Sequence, residues 1–149
     1  MTTYVLGLLF RDNCESVVLM RKQKPAWQAG LLNGIGGKIE NGESPLHAMI
    51  REFREETGAD TTMSGWRQFC ELSGDGFCVH CFTARDSVAW HCATTKESEI
   101  VEKHHPDELN KQDCVSNLLW LVELALDENN GKAFFTTARY SSPFKGVFQ

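Results

Sequence analysis

The stretch REFREETG, residues 51–58, places Glu52, Glu55 and Glu56 within five positions of one another. Ser44 followed by Pro45 reads as a helix start, an N-cap with proline in the first helical position, and Gly58 is the matching stop. On a helix between those signals, at about 100° per residue, Glu55 lies roughly 60° to one side of Glu52 and Glu56 roughly 40° to the other. The three carboxylates therefore share a face. Leu46, Met49, Ile50 and Phe53 fall on a neighbouring stripe that can dock on a sheet. Like charges three and four apart repel by a few tenths of a kcal/mol per pair, so a chain folded this way needs something to offset them. Two readings are open for the stretch alone: a solvated face on which Arg51 pairs with Glu55, or a set of hard oxygen ligands for Mg²⁺ or Mn²⁺.

A chain of 149 residues with 42% hydrophobic and 23% charged positions can bury a core of its own, so a single domain over residues 1–149 is expected. The N-terminal MTTYVLGLLF lacks the basic start and cleavage site of a signal peptide and reads as a strand. No run approaches the about 18 apolar residues of a membrane span, and no membrane partner is expected. The six cysteines then read as free thiols of a cytoplasmic protein. A net charge of −5 argues against double-stranded nucleic acid, whose backbone needs clustered Lys and Arg. An anionic ligand has to arrive with a cation.

TYVLGLLF (3–10) and SVVLMRK (16–22) read as a hairpin, followed by a loop carrying Gly30, Gly34, Gly36, Gly37 and Gly42. Beyond the helix, WRQFCELSG, GFCVHCFTA and SEIVEKHH read as strands, SNLLWLVELALDE as a second helix starting at Ser116, and GKAFFTTARY as a closing strand. Trp120 is expected in the core of that second helix. Cys70, Cys78, His80, Cys81, His91 and Cys92 are soft zinc ligands by type, but FCVHCF alternates as a strand, with Cys78 and His80 on one face and Cys81 on the other. Buried or half-buried thiols are the expectation.

Gly37 is followed five residues on by Glu43, and after seven more by Arg51, Glu52, Phe53, Glu55, Glu56, Gly58 and Ala59. This pattern resembles the box of the Nudix hydrolases. Seven specified residues at roughly one-in-fifteen usage coincide by chance on the order of once in a million chains, which decides against a merely solvated face. Phe53 stands where an aliphatic residue is more usual, and only altered packing is expected from it. The loop LNGIGGK is similar to the entry to the box in nucleotide-cleaving members, and the order of elements fits their α/β fold, an α/β/α sandwich around a mixed sheet.

The resemblance implies a MutT-like, Mg²⁺-dependent pyrophosphohydrolase, with Mn²⁺ as an alternative metal. Its substrate would be a nucleoside diphosphate linked to X. The metal ligands it implies are the Gly37 carbonyl, Glu52, Glu55 and Glu56, with Glu99 favoured over Glu97 as a further carboxylate. Glu52 or an acid outside the box would take the proton of the attacking water. Arg51 and Glu43 would orient the ligands, and Lys38 would meet a phosphate. Asn33 stands where members acting on oxidised purine nucleotides read the base edge; its alternative is to support the turn at Gly34. Trp27 either stacks on a base or packs in the core or at its rim, and packing is favoured. Residues 60–84 hold neither the proline typical of ADP-ribose members nor the tyrosine typical of diadenosine polyphosphate members, which shifts weight to nucleoside triphosphates. A non-catalytic nucleotide sensor is the rival, although every acidic box position is filled. Dimers are common in the family, and the sequence is compatible with a homodimer.

Overall fold

The computed structural model describes residues 1–141. Strand β1 (Thr2–Phe10) is the spine, with Val5, Leu6, Leu8, Leu9 and Phe10 all buried. A strand covered on both faces has no polar side to present, which is why this segment runs apolar without alternating. Along its whole length β1 pairs in parallel with β6 (Phe77–Arg85). It also pairs antiparallel with β2 (Val17–Arg21) at Leu9–Phe10 and with β4 (Ile35–Lys38) from Tyr4 to Gly7. The path across the sheet is β3 (Leu32–Asn33), β2, β1, β6, β5 (Arg67–Gly74) and β8 (Thr136–Arg139), with β7 (Ile100–His104) also beside β2.

Helices cover both faces. On one, α1 (Pro45–Thr57) and α2 (Ser87–Cys92) enclose Val5, Leu9, Met49, Phe53 and Phe82. On the other, α3 (Leu118–Asn129) packs Leu118 and Leu121 over Leu8, Phe69 and Leu72. This is the mixed α/β/α sandwich expected from the sequence. The local signals of α1 act as read: Ser44 Oγ accepts from the His47 amide at 3.1 Å, Pro45 opens the helix, and Gly58 ends it at φ 77°. Phe53 meets Trp66 edge-on, ring centroids 5.5 Å apart.

Elsewhere tertiary pairing overrides the sequence pattern. The glycine-rich loop contains β3 and β4, which exist because β2 and β1 offer them ladders. Helix α2, over residues to which the sequence pattern assigns no element, is started by Asp86, whose carboxylate accepts from the Ala89 amide at 2.9 Å. Helix α3 begins at Leu118 rather than Ser116, since the Asn117 side chain caps nothing and donates instead to the Tyr140 hydroxyl at 3.2 Å. Trp120 is not core. It is 36% exposed, because Leu118, Leu121, Val122 and Ala125 occupy the buried face and Trp120 falls opposite Leu118. Cys92, at the end of α2, is exposed, whereas Cys70, Cys78, Cys81 and Cys114 are buried free thiols.

Strand β4 runs so close to β1 that a Cβ at Gly36 would land on the Val5 carbonyl oxygen. Gly36→Ala is expected to cost stability at or above the top of the about 1–3 kcal/mol typical of overpacking. Urea unfolding measures it as a lower midpoint with unchanged slope; a shift below about 0.5 kcal/mol would show that β4 has room to move.

Candidate active site

Where β4 hands over to α1, Arg51 gathers the surrounding acids. Its Nε and Nη2 donate to the two Glu43 carboxylate oxygens at 2.7 and 2.9 Å. Nη1 donates to Glu52 at 2.9 Å and Glu55 at 3.2 Å, and Nη2 also reaches the Lys38 carbonyl at 3.0 Å. These contacts lower the Glu43 carboxyl from its ordinary value and keep Arg51 firmly protonated. Glu52 is buried under the same turn, and a Cβ at Gly37 would fall inside its carboxyl group. Only glycine lets the backbone pass this close to the Glu52 carboxyl group.

One turn further along α1, Glu56 faces a cleft of about 470 Å³ lined by Lys22, Lys24, Pro25, Glu97, Ser98 and Glu99. Burial, then the charge of Glu52, pushes the Glu56 carboxyl up to about 7, against a weaker pull from Lys22. Its Oε2 is enclosed with no hydrogen-bond partner among the described residues. Glu99 is 6% exposed, accepts from the Gln23 amide and pairs with Lys22 Nζ at 3.1 Å. A larger depression, about 640 Å³, lies between the ends of β5 and β6 and the C-terminus of α3. Its polar groups already serve the fold, Glu128 accepting from the Phe134 amide at 3.0 Å and Asn129 donating to Thr83 at 3.1 Å. The smaller cleft is therefore the candidate site.

A family model for the NUDIX domain matches residues 2–121. The chain belongs to the NUDIX family. Among curated relatives it is 31% identical over 91 residues to the CTP pyrophosphohydrolase of Escherichia coli (strain K12), covering 61% of this chain and 62% of that protein. It is 40% identical over 53 residues to the 8-oxo-dGTP diphosphatase of the same organism, covering 36% of this chain and 40% of that protein. The match thus spans less than two thirds of either relative. A crystal structure of a mutator MutT protein from Bacillus halodurans superposes with a TM-score of 0.71 at 19% identity, covering 97% of this chain and 94% of that one, and shows the shared fold.

Nudix proteins generally work with divalent metal, and the donors here suit one: carboxylate and carbonyl oxygens, the unpartnered Glu56 Oε2 among them. In this conformation no three His, Cys, Asp or Glu side chains among the described residues are gathered closely enough to hold an ion. Glu52 and Glu55 are turned to Arg51, and Glu99 to Lys22. The chain's own cations occupy acids that a metal would draw together.

Three other residues singled out in the sequence stand apart from this acid set. Asn33 is fully buried on β3, and its Oδ1 accepts from the Gly34 amide at 2.9 Å, so it supports the turn and only its Nδ2 remains without a partner among the described residues. Trp27, 41% exposed on a short 3₁₀ turn (Ala26–Gln28), is not core. Lys38 is exposed at the end of β4. Among the soft ligands, Cys78 Sγ lies 3.4 Å from Glu71 Oε1 and 3.9 Å from His80 Nε2, while Cys81 is on the opposite face, packed with Cys70. Sequence reasoning missed Lys22 and Asn117. The first closes an apolar strand as an ordinary end charge would, and the second sits in what reads as a helix start.

A carboxyl raised in the fold binds its proton more tightly folded than unfolded, so its effect on stability is unfavourable above the unfolded pKa and grows towards the folded one. For Glu56 that window runs from 4.5 to about 7. In chelator, wild-type thermal stability should therefore fall relative to Glu56→Gln as pH rises through the window, and the difference should level off above it. Parallel melting curves from pH 4.5 to 8 would show that Glu56 is not strained by its surroundings.

Proposed function

We propose that this protein is a divalent-metal-dependent hydrolase of nucleoside triphosphates, releasing a nucleoside monophosphate and pyrophosphate. The observation that carries this reading is the Glu56 carboxyl, half-buried in an acid-lined cleft, raised to about 7 and lacking a partner for one oxygen. A chain gains nothing in stability from such a group, and a cation relieves it. When bound, Mg²⁺ neutralises phosphate oxygens and makes water a usable nucleophile. The Gly37 carbonyl, Glu52, Glu55, Glu56 and Glu99 would hold it. Arg51, braced by Glu43, fixes Glu52 in one orientation, and Glu52 or Glu99 accepts the proton of the attacking water. Lys38, exposed at the mouth of the turn, meets the phosphate chain.

The base is read by two buried amides. Asn33 offers a free donor, Nδ2, and Asn117 a free acceptor, Oδ1, both enclosed without partners among the described residues. Their chain segments are joined: Leu32 bridges Cys114, and the Val115 amide donates to the Leu32 carbonyl at 2.9 Å. A donor and an acceptor on two joined segments match the chemistry of a nucleobase edge, normal or oxidised. Both curated relatives are named for triphosphate substrates, which supports the same class.

Product analysis on normal and oxidised nucleoside triphosphates, ADP-ribose, a diadenosine polyphosphate and a nucleotide sugar tests this, with Mg²⁺ and with chelator. The expected result is Mg²⁺-dependent pyrophosphate release, with one triphosphate well ahead in kcat/KM. No turnover on any member, with a nucleotide still raising Tm, would favour a binding protein. Glu56→Gln should lower kcat/KM at least about 100-fold; a loss within about tenfold, about 1.4 kcal/mol of barrier, contradicts the metal reading. Asn117→Ala and Asn33→Ala should reorder the bases, and equal losses on every base would leave both amides structural.

A further inference from the structure

Lys22 belongs to no part of the acidic helix or its loop, yet its ammonium lies inside the acid-lined cleft. The strand it closes explains why. In β2 and β7 Arg21 pairs with Ile100, and the next step along both strands brings Lys22 beside Glu99. The Lys22 backbone is held from both sides, its amide donating to the Leu31 carbonyl at 2.8 Å and its carbonyl accepting from the Gly30 amide at 2.8 Å. With the backbone fixed, the side chain is directed inward. It is 8% exposed, its Nζ is 3.1 Å from Glu99 Oε1, and it acts on the Glu56 carboxyl across the cleft.

A buried lysine paired with one carboxylate of a cleft that a second one lines, where the two would share a divalent ion, is a competitor for that ion. We propose that Lys22 is a built-in counter-ion: it holds Glu99 in position while the cleft contains no metal, and it must be displaced from Glu99 before a divalent cation can use that carboxylate. This rests on the metal reading of the cleft given above and adds its regulation. The chain gains a stable metal-free state, because Glu99 and Glu56 are not left facing each other uncompensated. It also gains a reason to bind metal weakly when alone. A polyphosphate substrate gives Lys22 another anion to pair with, so nucleotide and metal favour each other's entry, a coupling that acts through one side chain.

The competition has a sign that a purely structural lysine lacks. If Lys22 only orders Glu99, its removal disorders a ligand and weakens metal binding. If it competes, removing its charge strengthens binding, although the metal-free fold becomes less stable. The probe is Mn²⁺ alone, its free concentration read by electron paramagnetic resonance in nucleotide-free protein. Lys22→Met keeps the length and the apolar stem of the side chain and deletes the charge. It should bind Mn²⁺ about tenfold more tightly than wild type, a modest fraction of what one unit charge at this range can contribute. It should also melt lower in chelator and regain the loss when Mn²⁺ is added. Lys22→Gln, which can still hydrogen-bond Glu99, is the second variant if the first does not fold, and it should tighten binding in the same direction.

Binding that is unchanged or weaker in a folded Lys22 variant overturns the proposal while leaving the metal site intact. Binding in the variant alone is its strongest form. Absence of Mn²⁺ binding in wild type and both variants removes the metal reading itself, and the proposal with it.

Discussion

All five N–H donors of Arg51 are engaged: two on Glu43, one each on Glu52 and Glu55, and one on the Lys38 carbonyl. That fork ties three pieces of chain together, the end of β4, the turn before α1 and the helix face itself. It also solves the problem the sequence poses, because three carboxylates on one helix face cannot be brought under a glycine turn without a cation among them. Glu52 can lie where a Cβ of residue 37 would be because the guanidinium holds it there and because residue 37 has no Cβ. Replacing either partner would affect the turn, the ligand and the strand pairing behind it at once.

Charge compensation is incomplete, and the incompleteness is informative. Arg51 serves the N-terminal part of the acidic face, while Glu56, one turn on, looks into the cleft with one oxygen unpartnered among the described residues and its proton affinity raised. Lys22 supplies a partial remedy from a different strand. The acid set therefore holds two internal cations and one carboxylate oxygen without a partner among the described residues, a donor chemistry that suits a hard ion. The buried amides of Asn33 and Asn117 likewise each have one polar atom enclosed without a partner among the described residues. A fold leaves such groups unpaired at a cost of roughly 1–3 kcal/mol each.

Helix α1 was legible because everything that defines it is local. Ser44, Pro45 and Gly58 set its ends, and the spacing of its acids set the face and the box. The central strands were legible by their apolar runs. What could not be read was decided by partners distant in sequence. Gly36 and Gly37 look like a loop until β1 pairs with them, and Trp120 looks like core until the helix chooses which face to bury. Lys22 is the sharpest case. Nothing within ten residues distinguishes it from a surface lysine, and only the register of β2 against β7 turns it into a buried partner of Glu99. Asn117 escaped notice for a similar reason, since the partner of its side-chain donor, the Tyr140 hydroxyl, comes from beyond the helix.

The most direct measurement is the unfolding free energy at pH 7.5 as a function of Mg²⁺, at constant ionic strength and without nucleotide. If the acidic face is completed by a divalent cation, stability rises once Mg²⁺ exceeds its dissociation constant, by about 1.4 kcal/mol for each further tenfold. A response no larger than that to an equivalent ionic strength of Na⁺ would mean that Arg51 and Lys22 already satisfy these carboxylates, and that the cleft is not a metal site.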